Sequence, residues 1–348
     1  MSDQVCNALI IQSVEGKPSL VKSSVHLPNP RPYQALIQVY YVAQNYTDVR
    51  SFDSGESKEG CVLGCDFVGK VEAIGSSVSR LQPGDIVSGL ICGGQLMGLG
   101  AYSEYTVADE QLCFKVPPGI THEEAVTVPL ASCAAYLGLF SRSCLSINQT
   151  KGADVTVLIW GGSSCIGRFA IQIAAIYKFR IIATCGRTNF DILRSLGAHC
   201  VLNYHDKDVI THIRDLAPNL EYAFDAVGSP SSLAAMSKAL GESGGNICTI
   251  RPNTIHASTF APHIKATEVR LWRAFLQEHI INGISYPPSV NDHDLASNFF
   301  NLLPRWLQDG IIRPANPRIL VGGLGAVQEG FKRDYSGKPL GYKIVYQI

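Results

Sequence analysis

One stretch of the chain, residues 155–187, constrains the fold more than any other. It opens on an apolar run, Val155–Trp160, which has the length and the β-branched content of a buried strand. A turn of two glycines and two serines follows, and then a segment from Cys165 to Lys178 carries apolar residues at helical spacing. A second apolar run, Arg180–Cys185, completes the pattern. We therefore predict a strand–helix–strand unit with parallel strands, whose helix N-terminus points its N–H groups at the turn and suits a pyrophosphate.

The glycines of this turn depart from the G-x-G-x-x-G pattern, because the chain has Gly161-x-x-Ser164-x-x-Gly167. We interpret Gly161 as the residue that makes the sharp turn and Gly167 as the one that lets the helix pack closely on the strand. The alternative is an ordinary glycine turn of an α/β protein. On the first interpretation, six residues contact a dinucleotide: Gly161, Gly162, Ser163, Ser164, Cys165 and Ile166.

The end of the second strand indicates which dinucleotide the unit prefers. NAD-binding units usually place Asp or Glu there to hold the ribose 2′-OH. This chain has an arginine and small polar groups instead, and its first carboxylate is Asp191. The pattern favours a 2′-phosphate and hence NADPH, although Arg187 as a solvated surface side chain remains the alternative. The predicted contacts here are Thr184, Gly186, Arg187 and Asn189.

Composition excludes several classes of protein. The 348 residues suffice for two domains, and the 29 acidic and 29 basic side chains balance, so we expect neither nucleic acid nor a membrane surface as a partner. No apolar run reaches the length of a membrane span, and the first residues lack the pattern of a secretory signal. The 11 cysteines form no repeated C-x-x-C pairs, which favours the reduced thiols of a cytoplasmic protein over a disulfide framework.

The distribution of apolar runs divides the chain into three parts. Residues 1–125 carry short runs between Pro and Gly turns, which predicts a distorted barrel of antiparallel strands. Residues 126–272 alternate strands with helices, which predicts a doubly wound parallel sheet. Residues 273–348 contain a helix near Asp294–Gln308 and two further strands, and we expect this part to return to the first domain. The predicted fold class is α/β.

Motifs along the first domain carry a resemblance to a known family. They are Asn45-Tyr-Thr-Asp48, Leu63-Gly-Cys-Asp-Phe-Val-Gly69, Leu81-Gln-Pro-Gly-Asp85, Ala101-Tyr-Ser-Glu-Tyr105, Lys115-Val-Pro-Pro-Gly119 and Ala125-Val-Thr-Val-Pro129. Together with the Gly161 turn, they resemble the medium-chain dehydrogenase/reductase superfamily. The resemblance implies a GroES-like β-barrel domain and a Rossmann domain that binds NADPH. The segments 183–191 and 336–340 are similar to the trans-acting enoyl reductases of fungal polyketide pathways.

The resemblance also implies that no zinc is bound. Zinc alcohol dehydrogenases of this superfamily carry Cys where Asn45 stands and Gly-His-Glu where Gly64-Cys65-Asp66 stands, and they have a loop of four closely spaced cysteines. Those patterns are missing here, which places the chain with the zinc-free enoyl and quinone reductases. We interpret Asp66 as an acceptor of backbone donors at a strand start, with chelation by Cys65 and Asp66 as the alternative.

The resemblance places the segment from Asn45 to Arg50 opposite the nicotinamide. Without metal, charge on a thioester oxygen must be stabilised by hydrogen-bond donors or a cation. We expect Arg50 to supply that charge or to hold a pantetheine arm, Tyr46 to donate a hydrogen bond or a proton, and Asn45 to act beside them, with Asp48 contacting the cofactor. The alternatives are an Arg50 paired with Asp48 or Asp53 and a Tyr46 that is a packed aromatic.

Further cofactor contacts follow from the same resemblance. Cys133 and Ala134 correspond to positions on the carboxamide side of nicotinamide, and Tyr204 to a residue near the adenosine ribose, with edge-strand packing as its alternative. Val227 belongs to a loop that passes under the cofactor, and Arg251 falls at a strand end near nicotinamide.

Two other features of the last third leave their role open. One of three histidines could act as a general acid: His263, His279 or His293. The alternative is that each is an ordinary histidine, hydrogen-bonded within the protein or solvated. The aromatic residues between Phe260 and Phe300 could line an acyl tunnel or form core.

Our leading hypothesis is a trans-acting, NADPH-dependent and zinc-independent enoyl reductase. It would reduce the C=C of a carrier-tethered polyketide intermediate, as a cytoplasmic monomer that works with a partner polyketide synthase. One alternative is a stand-alone quinone or enone oxidoreductase. The other is a protein of the same fold without hydride transfer, which binds a polyketide and steers its cyclisation or serves as a non-catalytic subunit.

Overall fold

The structure is a computed structural model that describes residues 4–53, 57–95, 99–242, 244–251, 260, 263–281, 284–334 and 341–348. The 336–340 motif lies outside the described residues. The chain divides into two compact units. The first comprises Met1–Leu130, Phe275–Pro288 and Ala296–Ile348, and the second comprises Ala131–Ala274 and Ser289–Leu295.

The strands are numbered in chain order. Their bounds are β1 Val5–Val14, β2 Lys17–His26, β3 Gln34–Ala43, β4 Asp66–Ile74, β5 Ile86–Leu90, β6 Tyr105–Asp109, β7 Cys113–Lys115, β8 Thr156–Trp160, β9 Arg180–Cys185, β10 Cys200–Asn203, β11 Tyr222–Asp225, β12 Gly245–Thr249, β13 Ile264–Glu268, β14 His279–Ile281, β15 Ile284–Tyr286, β16 Pro317–Ile319 and β17 Lys343–Gln347.

The helices are numbered in the same way. Their bounds are α1 Tyr46–Asp53, α2 His122–Ala125, α3 Pro129–Phe140, α4 Cys165–Ile176, α5 Phe190–Ser195, α6 Val209–Leu216, α7 Pro230–Leu240, α8 Val290–Gln308 and α9 Val327–Asp334. Within the described part of the chain, no helix is both long enough and apolar enough to cross a bilayer.

The first unit is built on a seven-stranded sheet with the order β16-β17-β3-β4-β5-β7, and β6 also pairs with β3. Its pairs are antiparallel except β16 with β17. Strands β1 and β2 form a separate hairpin. That hairpin turns at Glu15 and Gly16, whose φ angles of 51° and 75° give the twist that two-residue hairpin loops need.

The second unit contains a six-stranded parallel sheet with the order β10-β9-β8-β11-β12-β13. This is the strand order of dinucleotide-binding folds, and it brings the carboxyl ends of β8 and its neighbours to one edge. The central strand β8 is almost wholly apolar because both of its faces are covered. The predicted α/β class with a doubly wound parallel sheet is therefore confirmed.

Strand β13 and the hairpin of strands β14 and β15 were not predicted from the sequence. Strand β13 reads Ile-Lys-Ala-Thr-Glu and occupies an edge of the parallel sheet, where one side has no neighbouring strand and fewer apolar residues are needed. The short hairpin of β14 and β15 has three residues in each strand, too few for a periodic signal.

Helix α8 starts at Val290, four residues before the predicted Asp294.

The aromatic residues predicted either to line a tunnel or to form core are largely buried. Phe299 and Phe300 are fully buried, and Phe275 and Tyr286 nearly so. The rings of Phe299 and Phe300 meet edge to face with centroids 6.0 Å apart. These four side chains therefore contribute apolar packing.

Candidate functional site

The turn between β8 and α4 admits only residues without a side chain at two of its positions. Gly161 has a φ of +80°, and a Cβ there would lie 2.4 Å from Cγ2 of Val227. A Cβ at Gly167 would lie 2.4 Å from the carbonyl oxygen of Gly161. Any larger residue would push the helix away from the turn. The result is a concavity lined by backbone, which a phosphate can approach closely.

The N-terminus of α4 adds donors to this concavity. Ser164 is the N-cap, and its Oγ accepts a 3.0 Å hydrogen bond from the Gly167 N–H. Among the described residues the Ile166 N–H has no acceptor, so it is available to an anion at the positive end of the helix dipole. Because its oxygen serves the cap, Ser164 can offer a phosphate only its hydroxyl hydrogen. Ser163 and Cys165 lie on either side of this cap and are half-buried.

Thr184 of β9 holds the turn in place. Its hydroxyl accepts the Gly161 N–H at 3.2 Å, and its carbonyl oxygen accepts the Gly162 N–H at 2.8 Å. The residue is fully buried. From the neighbouring strand, Thr184 therefore fixes the backbone of the glycine turn through two hydrogen bonds.

Beyond β9, Arg187 meets a carboxylate that the sequence analysis did not associate with it. Its Nη2 lies 3.2 Å from Oδ1 of Asp206, in the loop after β10. Asn203 also donates to that carboxylate at 2.7 Å. The hydrogen bond from Arg187 lowers the pKa of Asp206. The two loops meet because neighbouring parallel strands end at the same edge of a sheet. Arg187 is thus a surface arginine with an exposed ion-pair partner.

A second arginine approaches the same loop. Nη2 of Arg168, in the first turn of α4, donates to Oδ1 of Asn189 at 3.3 Å. The Nε of Arg168 is buried and has no partner in the described part of the chain. We did not name Arg168 from the sequence, although a basic residue directly after the last glycine of the motif was the available signal. Gly186, between β9 and this loop, has open space around its α-carbon.

The loop after β11 is organised by Asp225. This buried carboxylate accepts the N–H groups of Val227 and Gly228 with one oxygen and the hydroxyls of Ser232 and Thr249 with the other, all at 3.0 Å. Burial raises the pKa of Asp225 against the effect of these four donors. The loop brings the exposed Val227 side chain against Gly161, so two predicted contacts from different strands lie together.

The remaining predicted contacts of the second unit occupy three places. Arg251 follows β12 and packs beside Gly228. A Cβ added to Gly228 would lie 2.5 Å from the Cβ of Arg251. Cys133 and Ala134 lie on α3 and are buried. Tyr204 follows the edge strand β10, is 44% exposed and places its ring 4.0 Å from that of His205.

A second polar cluster lies in the first unit and centres on Asp66, the first residue of β4. Its Oδ1 accepts the Leu130 N–H at 2.7 Å, and its Oδ2 accepts Nζ of Lys343 at 2.6 Å and Nδ2 of Asn45 at 2.9 Å. Asp66 and Lys343 are both buried. Asp66 therefore accepts a backbone donor at a strand start, as we interpreted it, and it also forms a buried ion pair that the sequence analysis missed.

The same cluster orients the side chain of Asn45. Its amide nitrogen donates to Asp66 and, at 3.4 Å, to the carbonyl oxygen of Ala43. A carboxylate and a carbonyl can only accept, which identifies the nitrogen end of the amide. Both N–H groups are engaged, so Asn45 has only its oxygen to offer a ligand.

Asp48 lies deeper in this cluster than we predicted for a cofactor contact. Its carboxylate accepts the Asn45 N–H at 2.8 Å, the Tyr102 hydroxyl at 3.2 Å and the Cys65 thiol at 3.2 Å. The side chain is 2% exposed. Burial raises the pKa of Asp48 to about 7. Its partners exclude the predicted alternative of an Asp48–Arg50 ion pair.

Tyr46 and Arg50 lie on α1. Tyr46 is 57% exposed. Arg50 is half-buried and forms no ion pair or hydrogen bond with any described residue. Its guanidinium is therefore available to an anionic group.

Metal ligands and histidines were the other candidates. The described residues contain no group of three or more His, Cys, Asp or Glu that could hold a metal ion. Burial raises the pKa of the Cys65 thiol, which opposes the thiolate that a metal would need. The rings of His263 and His293 each donate an N–H to a backbone carbonyl oxygen, that of Gly241 and that of Ala274 respectively. Neither ring nitrogen of the buried His279 has a hydrogen-bond partner among the described residues, and burial lowers the pKa of this histidine to about 4.

The parallel sheet, the two glycines of its first turn and the open N-terminus of α4 together define a dinucleotide-binding protein. Two family models match the chain. Residues 31–118 match the alcohol dehydrogenase GroES-like domain, and residues 165–250 match the family named zinc-binding dehydrogenase.

Similar proteins cover nearly the whole chain. A zinc-type alcohol dehydrogenase-like protein of Schizosaccharomyces pombe is 30% identical over 340 residues, which cover 94% of this chain and 96% of the relative. A trans-enoyl reductase of Gibberella fujikuroi is 30% identical over 339 residues, covering 93% and 95%. Among solved structures, CurK enoyl reductase aligns with a TM-score of 0.75 at 20% identity over 99% of both chains. A putative zinc-dependent alcohol dehydrogenase of Rhizobium etli aligns with a TM-score of 0.82 at 22% identity, covering 100% of this chain and 99% of that one.

The chain belongs to the medium-chain dehydrogenase/reductase superfamily. The resemblance found in the sequence is confirmed, and so is the GroES-like part of the predicted fold. The comparisons support an oxidoreductase of the enoyl reductase type.

Proposed function

We propose that this protein is an NADPH-dependent, metal-independent enoyl reductase that acts in trans. Its substrate would be the C=C of a polyketide intermediate held on the carrier of a partner synthase. The observation that carries the proposal is the similarity, over more than nine-tenths of the chain, to a protein named trans-enoyl reductase. A second such protein, from Trichoderma harzianum, is 29% identical over 337 residues, covering 90% of this chain and 89% of that protein.

The residues around the β8–α4 turn fit a nicotinamide dinucleotide. Gly161 and Gly167 leave space that a Cβ would fill, and the Ile166 N–H is open to a phosphate oxygen. Arg187 and Arg168 favour a 2′-phosphate over a free 2′-OH. The Arg187–Asp206 pair is exposed and therefore weak, so Arg187 can exchange Asp206 for a doubly charged phosphate. When bound, the dinucleotide supplies the hydride for the β-carbon of the enoyl group.

The residues of α1 would act on the substrate. Negative charge builds on the thioester oxygen as the β-carbon is reduced, and a fixed cation or O–H donor near that oxygen lowers the barrier. We assign this task to Arg50 and Tyr46, with Tyr46 as the donor of the proton that the α-carbon receives. Asn45 cannot serve as an oxyanion donor, because both of its N–H groups are engaged. We assign it instead as an acceptor for a hydrogen of the ligand.

The tethered substrate gives Arg50 a second task. A pantetheine arm reaches its carrier through a phosphodiester, and an arginine such as Arg50, which has no ion-pair partner in the described part of the chain, can bind that anion. We further infer a cytoplasmic monomer. Eleven cysteines without a disulfide support a reducing compartment.

The test compares substrates and cofactors in one assay. The purified protein is mixed with an enoyl thioester on a carrier protein, the same acyl group on free pantetheine, or a small enone, each with NADPH or NADH. We expect C=C reduction with NADPH, fastest for the carrier-bound substrate. Arg50→Gln should raise KM for that substrate by about tenfold, or 1.4 kcal/mol. Arg305→Gln, at an 84% exposed position of α8, is the matched control and should change nothing.

Each alternative hypothesis has its own outcome in this assay. Equal rates on the enone and on the carrier-bound substrate would indicate a stand-alone quinone or enone reductase. Binding of NADPH without turnover of any substrate would indicate a protein that has lost hydride transfer. The absence of reduction with either cofactor would refute the proposed function.

A further inference from the structure

Arg273 is an arginine of the second unit that has no part in the proposed reaction. It lies in a short 3₁₀ helix, Leu271–Ala274, which begins three residues after β13 ends. Strands β12 and β13 are parallel and stay in register up to their last residues, Thr249 and Glu268. The carboxyl ends of parallel strands meet at one edge of a sheet. The chain therefore leaves β13 for Arg273 at the same edge of the sheet at which it leaves β8 for the glycine turn.

Hydrogen bonds to the start of α8 anchor the backbone at Arg273. Its carbonyl oxygen accepts the N–H of Ser289 at 2.8 Å, and the carbonyl oxygen of Ala274 accepts Nδ1–H of His293 at 2.7 Å. Ser289 directly precedes α8 and His293 lies in its first turn, and both belong to the same compact unit as Arg273. The position of Arg273 is therefore set by the fold of this unit.

The side chain of Arg273 is half-buried and has no acceptor among the described residues. Its Nε is shielded from solvent, and neither a hydrogen bond nor an ion pair reaches its guanidinium from the described part of the chain. The carboxylates of the adjoining segments serve other groups, because Glu268 pairs with Arg270 at 2.7 Å and Asp292 accepts the hydroxyl of Ser141 at 2.6 Å. A buried donor without an acceptor is costly, and such donors mark places where a ligand can complete them.

The strand order indicates which end of a dinucleotide Arg273 would meet, so this inference rests on the proposed function. A sheet of this order consists of two halves, β8-β9-β10 and β11-β12-β13, and each half carries one nucleotide of the pair. Arg187, proposed for the adenosine phosphate, follows β9 in the first half. Arg273 follows β13 in the second half, which leaves it the nicotinamide end.

We propose that Arg273 makes the site sensitive to the oxidation state of the nicotinamide, so that the protein holds NADPH more tightly than NADP⁺. The ring of NADPH is neutral, and its carboxamide oxygen can accept a hydrogen bond from a guanidinium. The ring of NADP⁺ carries a positive charge, which a guanidinium without a counter-ion in the described part of the chain repels. Spent cofactor therefore leaves the site more readily than fresh NADPH does.

Calorimetric titration of the full chain with each cofactor tests the assignment without any substrate. NADPH and NADP⁺ carry the same phosphates, so the ratio of their Kd values reports the nicotinamide end alone. We expect NADP⁺ to bind the parent protein about tenfold more weakly than NADPH. Arg273→Met removes the charge, so it should tighten NADP⁺ relative to NADPH and bring the two Kd values to within about twofold.

Two further variants separate charge from structure. Arg273→Lys keeps the charge and should keep the ratio of Kd values near that of the parent. Arg194→Met, at an exposed position of α5 beside Asp191, removes an arginine from the other half of the sheet and should leave the ratio unchanged.

The outcomes distinguish this proposal from the proposed function. A ratio of Kd values that stays the same in Arg273→Met, or a parent protein that binds NADP⁺ as tightly as NADPH, would overturn the role of Arg273. A parent protein that binds neither cofactor would refute the proposed function itself. The expected ratios in a protein that reduces no C=C would refute the reductase activity and leave the role of Arg273 standing.

Discussion

The buried ion pair between Lys343 and Asp66 allows a prediction whose size follows from its surroundings. The two groups lie 2.6 Å apart with side chains only 6% and 0% exposed. Lys343→Met keeps most of the side-chain volume and removes the charge, which leaves the Asp66 carboxylate buried with two donors, the Leu130 N–H and the Asn45 amide. Breaking a buried pair in this way costs about 3–5 kcal/mol. Because those two donors remain, we expect the lower end, about 3 kcal/mol.

The chain contains a matched control for this prediction. Lys70 and Glu72 form an ion pair of the same length, 2.6 Å, but their side chains are 37% and 34% exposed. Exposed pairs contribute about 0–1 kcal/mol because water solvates both charges. Lys70→Met should therefore lower the free energy of unfolding far less than Lys343→Met does. Both variants replace a lysine that lies 2.6 Å from a carboxylate, so the difference between their stabilities reports the effect of burying the ion pair.

Urea unfolding at neutral pH, followed by circular dichroism, measures both variants. A chain with two compact units can unfold in two steps, and the effect of Lys343→Met should be confined to one of them. The double variant Asp66→Asn, Lys343→Met removes the uncompensated charge, so it should be more stable than Lys343→Met alone by about 1–2 kcal/mol. Equal losses for Lys343→Met and Lys70→Met, or a double variant weaker than the single one, would refute this reasoning.

Three further predictions concern other residues of the candidate site. Burial raises the pKa of Asp48 to about 7 from 3.8, so the folded chain holds an extra proton between these pH values and loses stability as pH rises through them. From pH 5 to pH 8 the urea midpoint of the parent should therefore fall relative to that of Asp48→Asn. A difference between the two midpoints that stays constant over this range would contradict a raised pKa of Asp48. Gly167→Ala places a methyl group 2.4 Å from the Gly161 carbonyl oxygen and should weaken NADPH binding at least about tenfold, whereas Gly325→Ala, which meets open space, should not. A fluorescence titration measures both. Arg187→Gln should weaken NADPH about tenfold and leave NADH unchanged, while Asp206→Asn should favour NADPH; equal changes for both cofactors would count against a 2′-phosphate site.

The parts of the site that could be predicted are those encoded by local patterns. Strands β8 and β9 and helix α4 appear within two residues of their predicted ends, because an apolar strand and an amphipathic helix leave a periodic signal in consecutive residues. The spacing of Gly161 and Gly167 likewise identified the two positions where a Cβ would collide with the turn. Neither inference needed knowledge of a distant residue.

The parts that could not be predicted depend on partners far away in the chain. Lys343 is 277 residues from Asp66, and Tyr102 is 54 residues from Asp48. Asp206 meets Arg187 only because β9 and β10 lie side by side. No periodicity or spacing links such pairs.

By itself, the sequence determined the class of the protein: an α/β chain with a glycine turn for a dinucleotide and the motifs of its superfamily. Those features are properties of short segments, where backbone geometry restricts the residues that each position accepts. The tertiary structure decided which polar atoms remain available to a ligand. It engaged both N–H groups of Asn45, buried Asp48, and left Arg50 without a hydrogen-bond or ion-pair partner among the described residues. The availability of a hydrogen bond or a charge depends on every neighbour in space, and those neighbours are set only when the chain has folded.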